Sequence, residues 1–383
     1  MVALRCYRDV RRRGSNLIFE RHIAEAVHGK LPFPIYTSDA VDVSDRFPEK
    51  VDLVSTFGGD GTILRAASLF SYQESVPPIL SFSMGTLGFL GEWKFEEYKR
   101  AWREVYMSGS DVQVEDLVEP HTQTAVLQGR AGGVAEAKGG LRPGWERVRG
   151  KSMGISRTSK VLLRHRLRVG IYDSHGNNIG GKVMPTSADE PDLEPPMRPS
   201  RGSQQCLHAI NEVSIDRGVH PHLAMIDIYV NNHFLTEAVA DGLIISTPTG
   251  STAYSLSAGG PIVHPLVKSM IITPISARSL SFRPLVLPLN TKVVLKLSKR
   301  NRGRELPVSI DGKRRAGVGA GMEIRIEGES LVQGAGGVWA GGVPCIIRAS
   351  GKGEPEGIAE DDDSWVGGLN GLLKFNYPFG EVH

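Results

Sequence analysis

The chain has 383 residues, with 40% hydrophobic and 23% charged content, which is enough apolar material for two packed domains of ordinary size. Its net charge of +3 is too small to indicate nucleic acid or an anionic membrane as a partner, and no apolar run is long enough to span a bilayer. The three cysteines are scattered, which argues against a disulfide framework or a zinc site and indicates a reducing compartment.

The first fifty residues are weakly patterned. Five arginines against one acid within residues 1–13 are typical of part of a mitochondrial presequence, and equally of a basic first helix or an irregular gene start. We therefore favour the mitochondrial matrix over the cytosol. The spacing of Ile18, Phe19, Ile23 and Ala26 predicts a helix, and no clear first strand precedes Val51.

A glycine-rich stretch, FGGDGT at 57–62, lies between strand-forming residues at 51–56 and a helix-like apolar spacing over 63–70. Its glycines allow the backbone to approach phosphate oxygens, and amides at a helix N-terminus face an anion. A carboxylate repels phosphate, so Asp60 is predicted to take a proton from a hydroxyl or to orient a hydrated cation. The structural alternative is a strand–helix turn with an aspartate near the N-cap.

A second glycine-punctuated turn, MGTLGFL at 84–90, follows a predicted strand at 79–83. Ligands of open α/β sheets bind at the carboxyl ends of strands, so the two turns are predicted to form one crevice. Residues 93–107 are predicted to be a helix whose aromatic residues pack in the core.

After this predicted helix the composition and the apolar period of the chain change. Two segments poor in large apolar residues, 129–150 and 185–205, are predicted loops. Beyond residue 206 the apolar period becomes two, which predicts many short strands and an all-β domain. A glycine-rich stretch at 334–342 and a short closing helix at 365–375 complete the chain.

Two polar groups stand at the starts of predicted strands. Asn211 and Glu212 can bracket vicinal hydroxyls, since the amide donates and accepts and the carboxylate accepts twice. Asp241 can accept hydrogen bonds from a carboxamide. An exposed polar strand start and a turn-stabilising aspartate are the structural alternatives.

The stretch 247–261, TPTGSTAYSLSAGGP, follows a buried-looking strand. It presents many amides and hydroxyls around Tyr254, whose ring can stack on a base. A purely structural turn does not need this density of small polar residues.

Five motifs resemble the NAD kinase family in their order and spacing: GGDGT at 58–62, GTLGFL at 85–90, NE at 211–212, ADG at 240–242 and the stretch 247–261. SLSFRPL at 279–285 and IDG at 310–312 also match, so the resemblance covers about residues 51–326. It is greatest to the fungal mitochondrial NADH kinase branch. GGDGT also occurs in lipid kinases and phosphofructokinases, whereas the TPTGSTAY segment is specific.

This resemblance implies transfer of the ATP γ-phosphate to the adenosine-ribose 2′-hydroxyl of NAD(H), with Asp60 as general base. It implies that Gly58, Gly59, Gly61 and Thr62 hold phosphates, that Asn211 and Glu212 hold ribose hydroxyls, and that Asp241 holds the nicotinamide carboxamide. Further implied dinucleotide contacts are Phe89, His222, Thr252, Ala253, Tyr254 and Ser257. Mg²⁺ would be held by the nucleotide phosphates without a dedicated metal site. For His222, a surface role is nearly as well supported.

We therefore predict a Rossmann-like α/β nucleotide domain over 1–118, with a closing helix at 362–383 packing back on it. An all-β, β-sandwich-like dinucleotide-binding domain would cover 119–361, with insertions near 129–150, 185–205 and 330–357. The active site would lie in the cleft between the domains, and the resemblance implies a homodimer or larger assembly.

The sequence leaves open the phosphate donor and the choice among competing functions, and it gives one indication of the dinucleotide preference. The family has a pattern in which an arginine at the position of Val239 accompanies preference for oxidised NAD, so the valine indicates that NADH is accepted. The phosphate donor can be ATP or polyphosphate. A diacylglycerol- or sphingosine-type lipid kinase and an inactive NADP(H)-binding protein are the competing functions.

Overall fold

The structure, a computed structural model, describes most of both domains. The described residues are 16–37, 50–85, 88–91, 93–107, 113–114, 159–179, 206–333 and 339–348, with the single helical residues Trp365, Leu369 and Leu373. The predicted loops at 129–150 and 185–205 and most of the predicted closing helix lie outside these residues.

Four α-helices and two 3₁₀ turns occur in the described residues. They are α1 (Arg21–Val27), α2 (Asp60–Ser68), the 3₁₀ turn Phe95–Glu97, α3 (Tyr98–Met107), the 3₁₀ turn Thr249–Thr252 and α4 (Tyr254–Ser257). None of these helices is long and apolar enough to cross a membrane.

The strands far outnumber the helices. In chain order they are β1 (Ile18–Phe19), β2 (Tyr36–Thr37), β3 (Val54–Phe57), β4 (Ile79–Ser83), β5 (Trp93–Lys94), β6 (Gln113–Val114), β7 (Lys160–Arg164), β8 (Leu167–Tyr172), β9 (Leu207–Ala209), β10 (Glu212–Asp216), β11 (Ala224–Val230), β12 (His233–Ala240), β13 (Gly242–Ser246), β14 (Ser269–Ile275), β15 (Leu285–Pro288), β16 (Lys292–Leu297), β17 (Glu305–Ile310), β18 (Lys313–Gly319), β19 (Glu323–Gly328), β20 (Val332–Gln333), β21 (Trp339–Ala340) and β22 (Val343–Ile347).

The first domain is a sheet of order β3-β4-β22-β7-β6, with β5 paired to β4, and a helix on each face. Side chains alternate across β4, so Ile79 packs with α2 in one cluster while Leu80 and Phe82 pack with α3 in another. β3 and β4 are parallel neighbours, so their carboxyl ends lie side by side. This is the predicted Rossmann-like arrangement, and it places the two glycine turns together.

The second domain is a β-sandwich. One sheet has the order β15-β14-β13-β10-β17-β18 and the other β12-β11-β16-β19-β8-β9. Alternate residues of both sheets bury their side chains in one shared core, as expected for face-to-face packing. A two-residue turn joins β11 to β12, and its residues Asn231 and Asn232 both have positive φ (49° and 68°), as type I′ hairpins require.

Several elements differ from the sequence-based expectation. Ile18 and Phe19 form β1, parallel to β2, and the helix begins only at Arg21. Residues 93–97 form β5 and a 3₁₀ turn before α3 begins at Tyr98. These segments are short, so pairing with distant strands, rather than local periodicity, determines their secondary structure.

Two strands from the segment 119–361 belong to the first sheet. β7 and β22 pair with each other, and β22 also pairs with β4. The chain therefore crosses between the domains from β7 to β8 and again from β19 to β22. The stretch near 330–357 that we expected to be an insertion supplies β20, β21 and β22.

Candidate active site

The first glycine-rich turn follows β3 and leads into α2, which begins at Asp60 with Gly59 as its N-cap residue. A Cβ atom on Gly58 would lie 2.3 Å from Thr62 Oγ1, so position 58 has room only for glycine. The turn therefore has the strand–glycine–helix geometry predicted for a phosphate-handling segment.

Open space borders the other two glycines of this turn. Apart from the adjacent residues and the backbone of α2, no atom of the described residues lies within 4 Å of where a Cβ would stand on Gly59 or Gly61, and both glycines are exposed. The amides of the first turn of α2 face this space with the positive end of the helix dipole. The site can therefore accept an anion that approaches the backbone closely.

The carboxylate of Asp60 connects the two glycine turns. Its Oδ2 accepts a hydrogen bond from the Phe89 amide at 2.9 Å, and its Oδ1 accepts one from the Leu90 amide at 3.0 Å. A Cβ on Gly88 would lie 2.1 Å from Asp60 Oδ1, so only glycine allows this approach. Each oxygen keeps a second lone pair, with which the carboxylate can still accept a proton or a hydrogen bond.

Asn211 and Glu212 are buried, at 6% and 8% exposure, so the alternative of an exposed polar strand start is wrong. The Asp311 carboxylate holds their backbone, since Oδ1 accepts from the Asn211 and Glu212 amides and Oδ2 accepts from the Ile210 amide. Both Asn211 Oδ1 and Glu212 Oε2 are buried, and no described residue forms a hydrogen bond with either oxygen. Such buried acceptors are costly unless a ligand supplies donors.

The buried Glu212 carboxylate lies close enough to the Asp311 carboxylate for their charges to interact. Burial and then the neighbouring Asp311 charge raise the pKa of Glu212, to about 7 overall, while the Tyr254 amide partly offsets both by donating to Glu212. Burial also raises the pKa of Asp311, against three backbone amides that lower it. A carboxylate tuned in this way, in a polar crevice, is typical of a functional site.

The predicted loop 247–261 is anchored directly on Asn211. The Thr247 amide donates to the Asn211 carbonyl at 2.9 Å, and Thr247 Oγ1 donates to the Ile210 carbonyl at 2.6 Å. A Cβ on Gly250 would lie 2.1 Å from the Asn211 carbonyl oxygen, so the loop packs backbone against backbone. The loop and the Asn211–Glu212 pair are thus one structural unit.

The rest of the loop forms a 3₁₀ turn and then α4. Thr252 Oγ1 donates to the Thr249 carbonyl at 3.2 Å, and the Ala253 amide donates to the Gly250 carbonyl at 3.0 Å. Ser257 is exposed at the end of α4. These short contacts leave the outer side of the loop open to a ligand.

Tyr254 lies between three carboxylates. It is 42% exposed, and burial together with the charges of Asp216, Asp241 and Glu212 raises the pKa of its phenol. The structure therefore brings Asp241, Glu212 and Tyr254 into one neighbourhood, although they are distant in sequence. An exposed ring beside hydroxyl-binding acceptors is suited to a base or nicotinamide ring next to its ribose.

Comparison with known proteins places this site in a family. Residues 3–110 match the ATP-NAD kinase N-terminal domain, and residues 210–330 match the ATP-NAD kinase C-terminal domain. The mitochondrial NADH kinase of Saccharomyces cerevisiae is 32% identical over 363 residues, which are 91% of this chain and 67% of that protein. The chain belongs to the NAD kinase family.

Two further relatives agree with this result. The mitochondrial NADH kinase of Schizosaccharomyces pombe is 36% identical over 338 residues, covering 88% of this chain and 62% of that protein. The crystal structure of yeast NADH kinase complexed with NADH superposes with a TM-score of 0.62 at 29% identity, covering 96% of this chain and 81% of that one. The chain thus spans about two thirds of the length of these curated relatives.

In this NAD kinase family member, Asp241 already has a protein partner. Arg217 Nε donates to Asp241 Oδ1 at 2.6 Å, and both side chains are one third exposed. Its other oxygen stays available to a ligand amide. A carboxamide would therefore share Asp241 with Arg217, which was not apparent from the sequence.

His222 is not gathered with the other predicted residues. It is exposed in the connection before β11, and within the described part of the chain it makes no hydrogen bond or ion pair. Its assignment as a dinucleotide contact stays a prediction.

Two further residues of the site were not singled out from the sequence. Asp311 lies in a β17–β18 hairpin turn with φ +48°, and its IDG motif matches the family without revealing that its carboxylate supports residues 210–212. Arg164 is 2% exposed and donates to Phe89 O and Thr249 Oγ1. The local sequence signal for Arg164 is a basic residue at the end of an otherwise apolar strand, KVLLR at 160–164.

Proposed function

We propose that this protein transfers the γ-phosphate of ATP to the 2′-hydroxyl of the adenosine ribose of NAD(H), making NADP(H). The observation that carries the proposal is the pair of buried acceptors, Asn211 Oδ1 and Glu212 Oε2, which no donor in the described part of the chain satisfies. Vicinal ribose hydroxyls are the donors that fit them. The second substrate is supported by the open, amide-lined space at Gly59 and Gly61.

In the proposed mechanism Asp60 is the general base. Its carboxylate takes the proton of the 2′-hydroxyl while that oxygen attacks the γ-phosphorus, and the bond from the γ-phosphorus to the bridging oxygen breaks to release ADP. Aspartate is a weak base, so proton transfer helps late in the step, and most of the acceleration comes from positioning and charge neutralisation. The amides of Phe89 and Leu90 hold the carboxylate in one orientation for this purpose.

We propose the remaining contacts on the same basis. Gly58, Gly59, Gly61 and Thr62 would hold phosphates, and Phe89 would contribute its turn to the crevice. Within the described ranges no three His, Cys, Asp or Glu side chains come together as a metal site. Mg²⁺ would take most of its ligands from the nucleotide phosphates, as it does in most kinase sites. When bound, it would neutralise the charge that develops on the transferred phosphoryl group.

The dinucleotide would occupy the second domain. Thr252, Ala253, Tyr254 and Ser257 would line its pocket, as the anchored loop supports. Its carboxamide would bind Asp241.

We propose that NADH is accepted as well as NAD, because Val239 carries no charge. Val239 lines a surface pocket of about 330 Å³ together with Arg278 and Phe282. The Arg278 amide donates to the Val239 carbonyl, so this arginine is fixed beside the same position.

The test is a coupled assay that reports NADP(H) formation with ATP, offered NAD and NADH in parallel. We expect turnover with both. A kcat/KM for NAD that exceeds that for NADH by orders of magnitude would contradict the role given to Val239. Turnover of diacylglycerol instead of either dinucleotide would identify a lipid kinase, and NADPH binding without any turnover would identify an inactive binding protein.

We propose that the protein is a homo-oligomer assembled through the β12 edge of the sandwich. Phe234, Leu280 and Val286 are 59%, 86% and 51% exposed, and they lie on or beside the two edge strands β12 and β15. Exposed apolar groups in this number indicate a contact surface, here for a second copy. Light scattering that finds only monomer at micromolar concentration would contradict it.

We also propose the mitochondrial matrix as the compartment. Two fungal relatives are named mitochondrial, and arginines are concentrated in residues 1–13. Cell fractionation with a matrix marker tests this, and co-fractionation with a cytosolic marker contradicts it.

The raised pKa of Glu212 predicts how the stability of the protein depends on pH. Its raised pKa means that the protonated form favours folding, and this contribution is complete below pH 4.5 and is lost as the pH rises through about 7. We therefore expect Glu212→Gln to stabilise the protein relative to wild type at pH 8 and to have less effect at pH 5. Urea unfolding at both pH values measures the difference.

The same variant should weaken NADH binding, because glutamine has one acceptor oxygen fewer. A stability gain combined with a binding loss is expected where an unpaired charge is kept for function. Glu96→Gln, an exposed glutamate of the first domain, is the control and should change neither quantity. A pH-independent effect of Glu212→Gln would contradict the prediction.

A further inference from the structure

The residue that remains unexplained by these roles is Arg164, the last residue of β7. Its side chain is 2% exposed, and within the described part of the chain it forms no ion pair with a carboxylate. Its Nε is also buried, and no acceptor among the residues that the structure describes forms a hydrogen bond with it. Arg166, two residues later, is equally buried but is neutralised by Glu329. A buried guanidinium without a counter-charge is costly, so its position needs a reason other than stability.

The contacts of Arg164 lie where the two halves of the proposed site meet. Nη2 donates to the Phe89 carbonyl at 3.3 Å, and Nη1 donates to Thr249 Oγ1 at 3.4 Å. Phe89 belongs to the glycine turn of the first domain, and Thr249 belongs to the loop anchored on Asn211. Arg164 therefore joins the turn that holds Asp60 to the loop that would hold the dinucleotide.

One peptide group connects Arg164 to Asp60. The carbonyl of Phe89 accepts from Arg164, and the amide of Leu90, in the same peptide group, donates to Asp60 Oδ1. A hydrogen bond at the carbonyl polarises the peptide and strengthens the donor at its amide, and a cationic donor does so most. The guanidinium therefore acts on the Asp60 carboxylate without touching it.

We propose that Arg164 is a positioning residue for the phosphoryl-transfer step, which orients the Phe89–Leu90 peptide and thereby fixes the Asp60 carboxylate against the dinucleotide loop. This inference rests on the proposed kinase function. It assigns Arg164 to the transition state rather than to substrate affinity, because Arg164 contacts Phe89 only at its backbone carbonyl, and Thr249 is not among the residues proposed to bind the dinucleotide.

Two substitutions separate charge from geometry. Arg164→Met keeps an unbranched stem and removes every donor, and Arg164→Lys keeps the charge without the planar fork. The control is Arg168→Met, because Arg168 lies four residues along the same segment and is 45% exposed in an ion pair with Glu327. For each variant we would measure kcat, KM for ATP and NADH, the Kd of NADPH and the thermal midpoint.

We expect Arg164→Met to lower kcat about 10- to 100-fold per NADPH-binding site, as for loss of a charge-assisted hydrogen bond, with little change in either KM. Arg164→Lys should be intermediate and Arg168→Met should match wild type. A purely structural role would lower the thermal midpoint and the number of binding sites but not kcat per site.

Three outcomes overturn the inference. The first is a wild-type kcat per site in Arg164→Met, and the second is a raised KM at unchanged kcat in the same variant. If Arg164→Met does not bind NADPH, the third is a wild-type kcat in Arg164→Lys. Because wild type is assayed alongside, failure of the proposed function appears as absence of turnover in wild type. Failure of this inference appears only as normal kcat in the variants of an active enzyme.

Discussion

We expect Asp60→Asn to lower kcat by about 10²- to 10⁴-fold, the range of a lost general base. Asparagine has nearly the same size but cannot take the 2′-hydroxyl proton. NADPH binding should largely survive, because Asn211, Glu212 and Tyr254 belong to the second domain. The coupled assay gives kcat, and a fluorescence titration with NADPH gives the Kd.

The matched control for this variant is Asp52→Asn, which changes an exposed aspartate just before β3 and should leave turnover unchanged. Turnover of Asp60→Asn within about tenfold of wild type would sink the general-base role. If Asp60→Asn loses NADPH binding as well as turnover, the substitution has disturbed the structure of the site rather than only removed the base. The Asp60 carboxylate would then serve mainly to join the two turns, since asparagine can accept from only one of the Phe89 and Leu90 amides.

The local parts of the site were predictable because each has a local cause. A strand, glycines and an apolar helical spacing are adjacent in sequence, and the structure has β3 ending at Phe57 and α2 beginning at Asp60. Parallel pairing of β3 with β4 then brings the second turn to the first, as the rule for strand ends anticipates. The rule does not predict that the Asp60 carboxylate itself connects the two turns.

The unpredicted parts all depend on contacts between distant segments. Asp311 supports the backbone at Asn211 from a hairpin 100 residues later. β7 and β22 join the first sheet from within a segment that otherwise forms the second domain. Alternation shows that a residue lies in a strand, but not which sheet the strand enters. For the same reason the sequence does not show that Arg164 and Arg166 are buried.

A second large effect, on stability, is expected for the buried ion pair where the chain crosses between the domains. Arg166 follows β7 and Glu329 follows β19, so each lies where the chain passes from one domain to the other. Arg166 Nε donates to Glu329 Oε2 at 2.7 Å, and its Nη2 contacts Oε1 at 2.5 Å. The side chains are 2% and 6% exposed. Arg166 also donates to the Phe70 and Gln73 carbonyls beyond α2, so one guanidinium ties α2 to both crossings.

The charges of this cluster balance. Burial and the nearby Arg166 charge hold the pKa of His208 below its usual value, so this histidine is neutral at pH 7. His208 Nδ1 lies 2.9 Å from the Ser71 carbonyl, and the Gly342 amide donates to Glu329 Oε2 at 2.7 Å. One cation therefore faces one anion, and His208 Nε2 lies 3.4 Å from Glu329 Oε1. Removing either charge leaves the other buried and unpaired.

We therefore expect Arg166→Met to lower the free energy of unfolding by about 3–5 kcal/mol. The chain contains its own control two residues away, since Arg168 and Glu327 form a comparable pair that is 45% and 34% exposed. Arg168→Met should cost less than about 1 kcal/mol. The double variant Arg166→Met/Glu329→Met should recover most of the loss, because no buried charge is left unpaired. Urea unfolding followed by circular dichroism measures all three, and equal losses in Arg166→Met and Arg168→Met would show that the buried pair does not hold the domains together.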